Sequence, residues 1–396
     1  MNDHDKSRSV RSVYLVLAIA LTIIASRPLI QQWNVDANGL NPDTHNLAVW
    51  DFGNIWSGGR LAAEGRTSVL FDRAGFSAWQ RQTFSPDMEF HEWSYPPSVL
   101  LLAVPLSHLP LLVAYAVWTV GSLALLAWAV IGTGAGWAAA FIAIANPAVV
   151  SNMVLGQGGA LTAAALIGAM TQLTRRPVVA GIIIGLLSLK PQFGVLLPVC
   201  LLATRSWRAI AVAAATVATL VLATGMLFGW DCWASFFSVT RPNMQGVLET
   251  PWLYGYQNTA VTLFMTVRAL GAGIATSYLV QTASIAVCAA IVWIVWRRED
   301  VDLPTRTAVT VCLTFLATPY AWFYDMVAVN AVIALVVARS GWRFNSALML
   351  IWILPMMSPA LISILHVPLG PLVIASTAFI CWREGSGHRR KTTHPV

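Results

Sequence analysis

Apolar runs recur along the chain from residue 12 to residue 382, and short polar or basic segments separate them. An α-helix needs about 20 mostly apolar residues to cross about 30 Å of hydrocarbon, and it satisfies its own backbone hydrogen bonds there. The pattern therefore predicts an all-α polytopic membrane protein with about 11–13 transmembrane or re-entrant helices. Spans are expected near residues 12–30, 96–110, 111–131, 135–150, 157–173, 178–203, 209–229, 277–296, 305–319, 321–338, 345–358 and 360–382.

Two apolar segments do not fit a simple span. The run 178–203 has Pro191 in its middle and a basic cluster at each end, at residues 175–176 and 205–208. Because basic short loops stay cytoplasmic, either this run is a hairpin of two half-helices or one cluster breaks the rule, and the hairpin is favoured. The shorter run 258–270 is expected to be a re-entrant or surface helix.

Composition and charge support a membrane location. The chain is 57% hydrophobic and 10% charged, against about 25% charged residues in a typical soluble domain. The net charge of +7 comes from short basic clusters beside apolar runs, which indicate topology and not nucleic-acid binding. These clusters are Lys6/Arg8/Arg11, Arg175-Arg176, Arg205/Arg208, Arg297-Arg298, Arg339/Arg343 and Arg389-Arg390-Lys391. No small-residue cleavage site follows the first apolar run, so we interpret it as a retained helix.

Two longer polar segments are expected on the extracytoplasmic side. Residues 31–95 contain more acidic than basic residues, which is unlike a cytoplasmic loop, and 53–65 and 73–84 within them have the pattern of short amphipathic helices. Residues 230–257 are rich in Trp and Tyr, as are segments at a membrane interface. We treat 1–396 as a single integral membrane domain containing both segments.

Cysteines and acidic residues give no metal signal. The five cysteines are scattered and no CxxC motif occurs, so neither a disulfide framework nor a metal site is suggested. No acidic cluster has the spacing of metal ligands. We therefore expect no metal and no cofactor.

Asp51 is the first candidate for chemistry. It lies between Trp50 and Phe52, shortly after the first predicted span, in the segment LAVWDFGNIWSGGRLAAEG. A carboxylate at the lipid–water interface can act as a general base. The alternative is that Asp51 caps a helix that begins at Phe52.

Several polar residues interrupt or border apolar runs. His91 and Tyr95 precede the Pro96-Pro97 helix start and can face a site, although a rigid helix start accounts for the prolines. Asn152 and Gln157 can face a cavity or join two helices by hydrogen bonds. Lys190 is a candidate phosphate ligand, or a lysine that reaches out to the interface from a half-helix end.

The remaining candidates lie in the second half of the chain. Gln257 and Asn258 begin a short helix whose N-terminus suits an anion, or they cap it. An aromatic cluster beside a carboxylate suits a sugar, and an interfacial aromatic belt is the alternative. That cluster is Trp322, Tyr324 and Asp325. Arg241 is a candidate cation for a phosphate, or a plain surface charge.

Six segments in order resemble glycosyltransferase family 87, polytopic enzymes of the GT-C type that include polyprenol-phosphate-mannose-dependent mannosyltransferases. The segments are WDFGNIWSGGRLA, SYPPSVLLLAVPLSHLP, NPAVVSNMVLGQGGAL, AGIIIGLLSLKPQFGVLL, YQNTAV and TPYAWFYDM, and they cover roughly residues 40–330. The resemblance implies a GT-C-type helical bundle in which Asp51 matches the catalytic base. The family's Gly-Gln, Lys-Pro and Gln/Asn segments fall on Gly156-Gln157, Lys190-Pro191 and Gln257-Asn258. Mycobacterial members carry histidines where this chain has Phe323, Tyr324 and Asp325.

The resemblance implies an inverting transfer of a hexose, with mannose the expected sugar. The donor would be a polyprenyl-phosphate-linked sugar, and the acceptor a hydroxyl of a lipid-linked or envelope glycan. The site would face the periplasm or cell exterior of a bacterial inner membrane. The expected partners are these two substrates and membrane lipids, without nucleic acid. Two other functions stay open: a transporter or flippase of a lipid-linked saccharide, and a ligase-like enzyme that moves a larger glycan.

Overall fold

The computed structural model describes residues 3–37, 39–342 and 345–387. Within them the chain is 76% helical and forms no β-strand, which confirms the predicted all-α fold. The α-helices of the described residues are α1 Asp3–Gln32, α2 Trp50–Ala63, α3 Arg73–Thr83, α4 Leu100–Ser107, α5 Leu111–Gly132, α6 Gly136–Ile144, α7 Pro147–Leu155, α8 Gly159–Gln172, α9 Pro177–Leu186, α10 Leu197–Ala203, α11 Trp207–Phe228, α12 Asp231–Ser235, α13 Arg241–Glu249, α14 Leu263–Ala269, α15 Ile274–Arg297, α16 Leu303–Ala317, α17 Val327–Arg339, α18 Ser346–Leu365 and α19 Gly370–Gly387.

Short turns of tighter or wider helix connect several of these elements. The 3-10 turns are Thr67–Phe71, Pro97–Val99, Leu187–Leu189, Pro191–Phe193, Gly255–Thr259 and Phe323–Met326, and a π-helical turn occupies Phe236–Thr240. Most of these turns lie next to a proline or at a break between two apolar helices. They explain why many predicted spans are interrupted.

Four helices of the described residues are long and apolar enough to cross a membrane: α5, α11, α15 and α18. A fifth candidate is the pair α6 and α7, which meet at an angle of 48°. The segment predicted as a span near 135–150 is therefore a bent pair of helices that extends to Leu155. The break arises because Asn146 caps α7, accepting a hydrogen bond from the backbone N–H of Val149 at 3.0 Å, and Pro147 has no N–H to continue α6.

The predicted boundary between the last two spans is also wrong. Helix α18 continues through Pro355 and Pro359 and ends at Leu365. The chain turns at His366, which has a left-handed backbone conformation, and α19 begins at Gly370. The two prolines do not end the helix, because neighbouring helices can accommodate the backbone groups that a proline leaves free in a membrane helix.

The run 178–203 forms the predicted hairpin. In α9, Gly181 packs against Ala209 of α11 and Gly185 packs one turn further on against Thr216, so α9 and α11 run in the same direction. The chain must therefore reverse between them, and the reversal falls at Lys190, between two 3-10 turns. Both flanking basic clusters consequently lie at one end of the bundle, whereas Lys190 lies at the other, which we call the site end.

The segment 31–95 packs at the site end. Thr67 donates a hydrogen bond to the backbone carbonyl of Phe228, at the end of α11, over 3.3 Å. The two amphipathic helices predicted here are confirmed as α2 and α3, although α2 begins at Trp50, three residues before the predicted start. Their apolar faces enclose a small core with α4 that includes Leu61, Phe76 and Trp93.

The described basic residues of the predicted clusters lie at the end of the bundle opposite Lys190. The basic residues at 175–176, 205–208 and 297–298 lie in connections at the end opposite Lys190. Arg339, at the same end, forms an ion pair of 2.5 Å with Asp302. The predicted basic residues Arg343, Arg389, Arg390 and Lys391 lie outside the described residues.

Candidate active site

Helix α2 places Asp51 at the site end. The residue that precedes the helix is Val49, and Asp51 lies within the first turn without capping it, so the predicted cap role is wrong. A carboxylate in the first turn is favoured by the helix dipole. One turn later, Asn54 donates a hydrogen bond to the carbonyl of Glu92 at 2.8 Å, which fixes the segment containing His91 beside the start of α2.

His91 is the partner of Asp51. Its Nε2 lies 3.3 Å from Oδ1 of Asp51, and each side chain is 14% exposed. Its Nδ1 donates to the backbone carbonyl of Trp50 at 3.2 Å, and the two rings stack with centroids 4.4 Å apart. Gln80 holds the backbone of His91 through two hydrogen bonds, of 2.8 and 3.1 Å. The imidazole is therefore fixed from the ring and from the main chain.

A second polar group forms at the tip of the hairpin. The Nζ of Lys190 donates to Oε1 of Gln157 at 3.1 Å and to Oδ1 of Asp325 at 3.0 Å. The other oxygen of Asp325 accepts from the backbone N–H of Trp322 at 3.1 Å, and the Asp325 side chain is 2% exposed. Lys190 also lies 5.8 Å from the ring centroid of Tyr324. The ammonium group thus retains one N–H without an acceptor among these residues.

A glycine-rich turn joins the two groups. Gly156 has a left-handed backbone, and a Cβ there would lie 2.4 Å from the Cβ of Phe52 in α2. A Cβ on Gly159 would lie 2.6 Å from the backbone oxygen of Tyr324. Both distances are far below van der Waals contact, so only glycine allows these approaches. The turn therefore places Gln157 between the helix that holds Asp51 and the segment that holds Asp325.

The pKa of the Tyr95 phenol is raised by burial and by both carboxylates. Burial raises its pKa well above the usual value, and the negative charges of Asp51 and Asp325 raise it further. The phenol therefore stays protonated at neutral pH. Tyr95 is 9% exposed, and its oxygen forms no hydrogen bond with any residue that the structure describes. Its O–H is therefore a donor without a partner among the described residues.

Tyr256 closes the other side of this region. Burial raises its pKa, the charge of Asp51 adds to that effect, and a hydrogen bond to Tyr320 opposes it. The two phenol oxygens are 3.4 Å apart. The close approaches of Gly156 to Phe52 and of Gly159 to Tyr324 bring the two polar groups into one region of the site end.

Other predicted candidates serve internal structure. The amide of Gln257 is 1% exposed and is saturated, since it accepts from the N–H of Tyr254 and donates to Val247 and Thr250, each at 2.9 Å. The side-chain oxygen of Asn152 accepts from the backbone N–H of Ala160 at 3.5 Å, whereas its buried Nδ2 has no hydrogen-bond partner among the described residues. These contacts leave Gln257 no free hydrogen-bonding group for a substrate.

Three predicted residues lie at the margin of the site. The ring of Trp322 is 2% exposed and packs edge-on against Tyr256 and Tyr320, so it supports the site wall. Arg241 is exposed at the start of α13. Asn258 is half-buried and forms no side-chain hydrogen bond with a described residue.

Sequence reasoning missed Gln80, Asn54 and Glu92. Glu92 lies 3.6 Å from Arg73 and accepts a hydrogen bond from Asn243 of α13, so it ties the two polar segments together. The partners of Glu92 and Asn54 are far away in the sequence, and no local motif marks such pairs. Gln80 lies on the buried face of the amphipathic helix α3, where a polar residue is a signal that could have been used.

An apolar cavity of about 390 Å³ adjoins Lys190. It lies between the hairpin and helices α15 and α16, and its lining includes Leu187, Pro191, Val195, Ile285, Ala317 and Pro319. The residues on both sides of Lys190, Ser188 to Pro191, belong to its wall or border it. The cavity is thus a mostly apolar space lined by the chain neighbours of Lys190 at the hairpin tip. Among the described residues, no group of three His, Cys, Asp or Glu side chains has the arrangement of a metal site.

The fold and the site define an integral membrane protein with two carboxylates, a lysine and a free phenol at one end of a helical bundle, beside an apolar cavity. A family model of glycosyltransferase family 87 matches residues 93–319, more than half of the chain. The chain therefore belongs to glycosyltransferase family 87 and is a membrane glycosyltransferase. No curated protein and no solved structure gives a significant match. The matched region contains Tyr95, Gln157 and Lys190, whereas Asp51, His91 and Asp325 lie outside it.

Proposed function

We propose that this enzyme transfers a hexose, mannose, from a polyprenyl-phosphate-linked donor to a hydroxyl of a lipid-linked or envelope glycan. Asp51 acts as the general base and the anomeric configuration is inverted. The observation that carries the proposal is the state of Asp51. It is a partly open carboxylate, held by one side chain, in a site shared with a lysine and the free phenol of Tyr95.

The chemistry follows from the two oxygens of Asp51. Oδ1 faces His91, and no side chain or backbone group of the described residues donates a hydrogen bond to Oδ2. Oδ2 can therefore take the proton of an acceptor hydroxyl while that oxygen forms a bond to the anomeric carbon. The bond from this carbon to the phosphate oxygen breaks on the opposite face, and the phosphate leaves with the electron pair. General-base assistance of this kind contributes about 10²–10⁴-fold.

The cavity beside Lys190 supports a lipid-linked donor. Its apolar lining suits an isoprenoid chain, and Lys190 lies in the same hairpin tip as the lining residues Ser188 and Pro191. The free O–H of Tyr95 is a second donor for the departing phosphate oxygen. Hydrogen bonds directed at developing charge are a large part of catalysis in water-poor sites. Arg241 is exposed and would meet only the outer part of a substrate.

The distribution of basic residues supports an extracytoplasmic site. The described basic clusters lie at the end of the bundle opposite Lys190. Basic connections stay in the cytoplasm, so the site end faces the periplasm or cell exterior of a bacterial inner membrane.

Sugar transfer by purified protein tests the proposal. The protein is placed in nanodiscs with polyprenyl-phosphate mannose labelled in the sugar and a lipid extract as acceptor source. We expect labelled glycolipid from the native protein and none from the matched Asp51→Asn protein. A transporter or flippase requires two compartments, so it would give no product here. The absence of product from folded native protein with polyprenyl-phosphate mannose would overturn the proposed donor.

A further inference from the structure

A second cavity, of about 120 Å³, lies where the two polar segments meet. Its walls come from residues between 70 and 73 and between 90 and 93 in the first segment, and between 239 and 243 in the second. It shares no lining residue with the apolar cavity at the hairpin tip. We call this space the junction cavity, and the proposed transfer reaction assigns no role to it.

The junction cavity contains hydrogen-bonding groups that the protein does not use itself. Asn243 donates to Oε1 of Glu92, whereas no described residue donates a hydrogen bond to Oε2. The guanidinium group of Arg73 lies 3.6 Å from Oε2, which is an ion-pair distance and longer than a hydrogen bond. Thr240 is 2% exposed, and its hydroxyl forms no hydrogen bond with a described residue. The lining therefore offers donors and acceptors together.

Trp93 adds a buried donor without an acceptor. This residue lines the junction cavity and is 1% exposed, and its Nε1–H has no hydrogen-bond partner among the described residues. The opposite corner of the indole packs on α2, since a Cβ on Gly58 would lie 2.3 Å from Cζ3 of Trp93. Nε1 therefore faces away from α2. Buried N–H groups nearly always have a partner, so an unpaired one in a cavity wall is a group that a ligand can satisfy.

The lining indicates a neutral ligand with several hydroxyl groups. A cation would be opposed by Arg73 and an anion by Glu92, because both charges line the same small space. Hydroxyl groups both donate and accept, so they match the mixed set of free groups. Phe71 and Phe90 supply apolar surface, which suits the C–H groups of a sugar ring. The volume is below the about 300–1,000 Å³ of sites that enclose a whole small molecule, so the cavity holds one edge of a sugar ring and not a whole oligosaccharide.

The junction cavity lies close to the proposed base, because Glu92 in its wall directly follows His91, whose Nε2 is 3.3 Å from Oδ1 of Asp51. We propose that the junction cavity binds the sugar residue next to the one that receives the mannose, so that the acceptor carries at least two linked sugars. Glu92, Thr240 and Asn243 are then specificity-determining residues for the acceptor. The inference rests on the proposed function, because it describes the acceptor side of the same site.

Sugar binding tests the site without any transfer. Protein in nanodiscs is mixed with methyl α-mannoside or with a panel of α-linked mannobioses, and saturation-transfer NMR of the sugars measures binding. We expect a mannobiose to bind native protein and Asp51→Asn equally, and to bind Asn243→Ala at least about tenfold more weakly, because one amide is lost. Gln245→Ala is the matched control, since this exposed amide lies on the same helix and is bonded to Glu249. Equal mannobiose binding by Asn243→Ala and the control, or none by folded native protein, would overturn the inference.

Kinetics with labelled polyprenyl-phosphate mannose separate recognition of the second sugar from a general loss of structure. In native protein we expect a lower acceptor KM for mannobiose than for methyl α-mannoside. Thr240→Val keeps the side-chain shape and the bond between Asn243 and Glu92, so it should remove most of this difference while kcat and the donor KM stay within about twofold. An unchanged difference in Thr240→Val and Asn243→Ala would overturn this inference and leave the proposed function intact. Mannobiose binding that is lost in Asn243→Ala, without transfer to any acceptor, would overturn the proposed donor and leave this sugar site in place.

Discussion

The two carboxylates of the site differ in what surrounds them. Asp51 is 14% exposed, and one of its oxygens has no hydrogen-bond donor among the described residues. Asp325 is 2% exposed, and its two oxygens are taken by Lys190 and the N–H of Trp322. An acid that is almost fully buried, and whose two oxygens both accept hydrogen bonds, is poorly placed to take a proton from a substrate. The comparison therefore supports the proposal that Asp51 is the base and that Asp325 has a structural role.

The largest expected effect is the loss of transfer in Asp51→Asn. The amide keeps the size of the carboxylate but cannot take a proton, so transfer should fall by about 10²–10⁴-fold or more. Because Asp51 caps no helix and has one side-chain partner, the melting temperature should change little. Radiolabelled product formation and thermal unfolding in the same nanodisc sample measure both quantities.

Asp325→Asn should have the opposite effect: a clear loss of stability and a smaller loss of transfer. It leaves the ammonium group of Lys190 without its countercharge in a site that is mostly buried, and breaking a buried ion pair in this way typically costs about 3–5 kcal/mol. Thermal unfolding of the variant checks this cost. Lys190→Met in the same chain removes the unpaired charge and should restore part of the stability. Native stability in the single variant would show that the pair does not hold the hairpin tip.

Tyr95→Phe tests the free donor between the two carboxylates. The hydroxyl has no partner among the described residues, so its removal should leave the melting temperature unchanged. A hydrogen bond to a charged group is worth about 1.5–3 kcal/mol, so transfer should fall by about 10- to 100-fold. Steady-state kinetics with varied donor measure the effect. Native activity would remove Tyr95 from the site.

Gly159→Ala tests whether the glycine-rich turn sets the distance between the two halves. The new Cβ would lie 2.6 Å from the backbone oxygen of Tyr324, and overpacking of this kind costs about 1–3 kcal/mol. Gly121→Ala is the matched control, since a Cβ there meets no atom within 4 Å. Chemical or thermal unfolding of both variants decides the point. Equal stability would mean that the turn is not tightly packed.

The sequence predicted much of the architecture because membrane helices leave a strong signal. Apolar runs indicated the helices, and the basic clusters around 178–203 favoured a hairpin that the parallel contacts of α9 and α11 confirm. Proline was a weaker guide. It broke the chain at Pro147 but not at Pro355 or Pro359, since helix packing and not composition decides which proline ends a membrane helix.

The site could be predicted only in part. Asp51, His91 and Lys190 were identified as polar residues in unusual positions, but their partners could not be read from the sequence. The pair of Lys190 and Asp325 joins residues 135 positions apart, and the hold of Gln80 on His91 depends on how α3 packs. Gln257 has the same polar character as Gln157, yet its amide is used entirely by the backbone and Thr250.

The most direct test of the division between the two acids is the rate of sugar transfer per folded molecule. Native protein, Asp51→Asn and Asp325→Asn are compared in nanodiscs with labelled polyprenyl-phosphate mannose, and the folded fraction is measured in each sample. We predict that transfer by Asp51→Asn falls by about 10²–10⁴-fold or more, and that transfer by the folded fraction of Asp325→Asn stays within about tenfold of native, because general-base catalysis is intact there. Native transfer by Asp51→Asn, or complete loss in folded Asp325→Asn, would contradict the account.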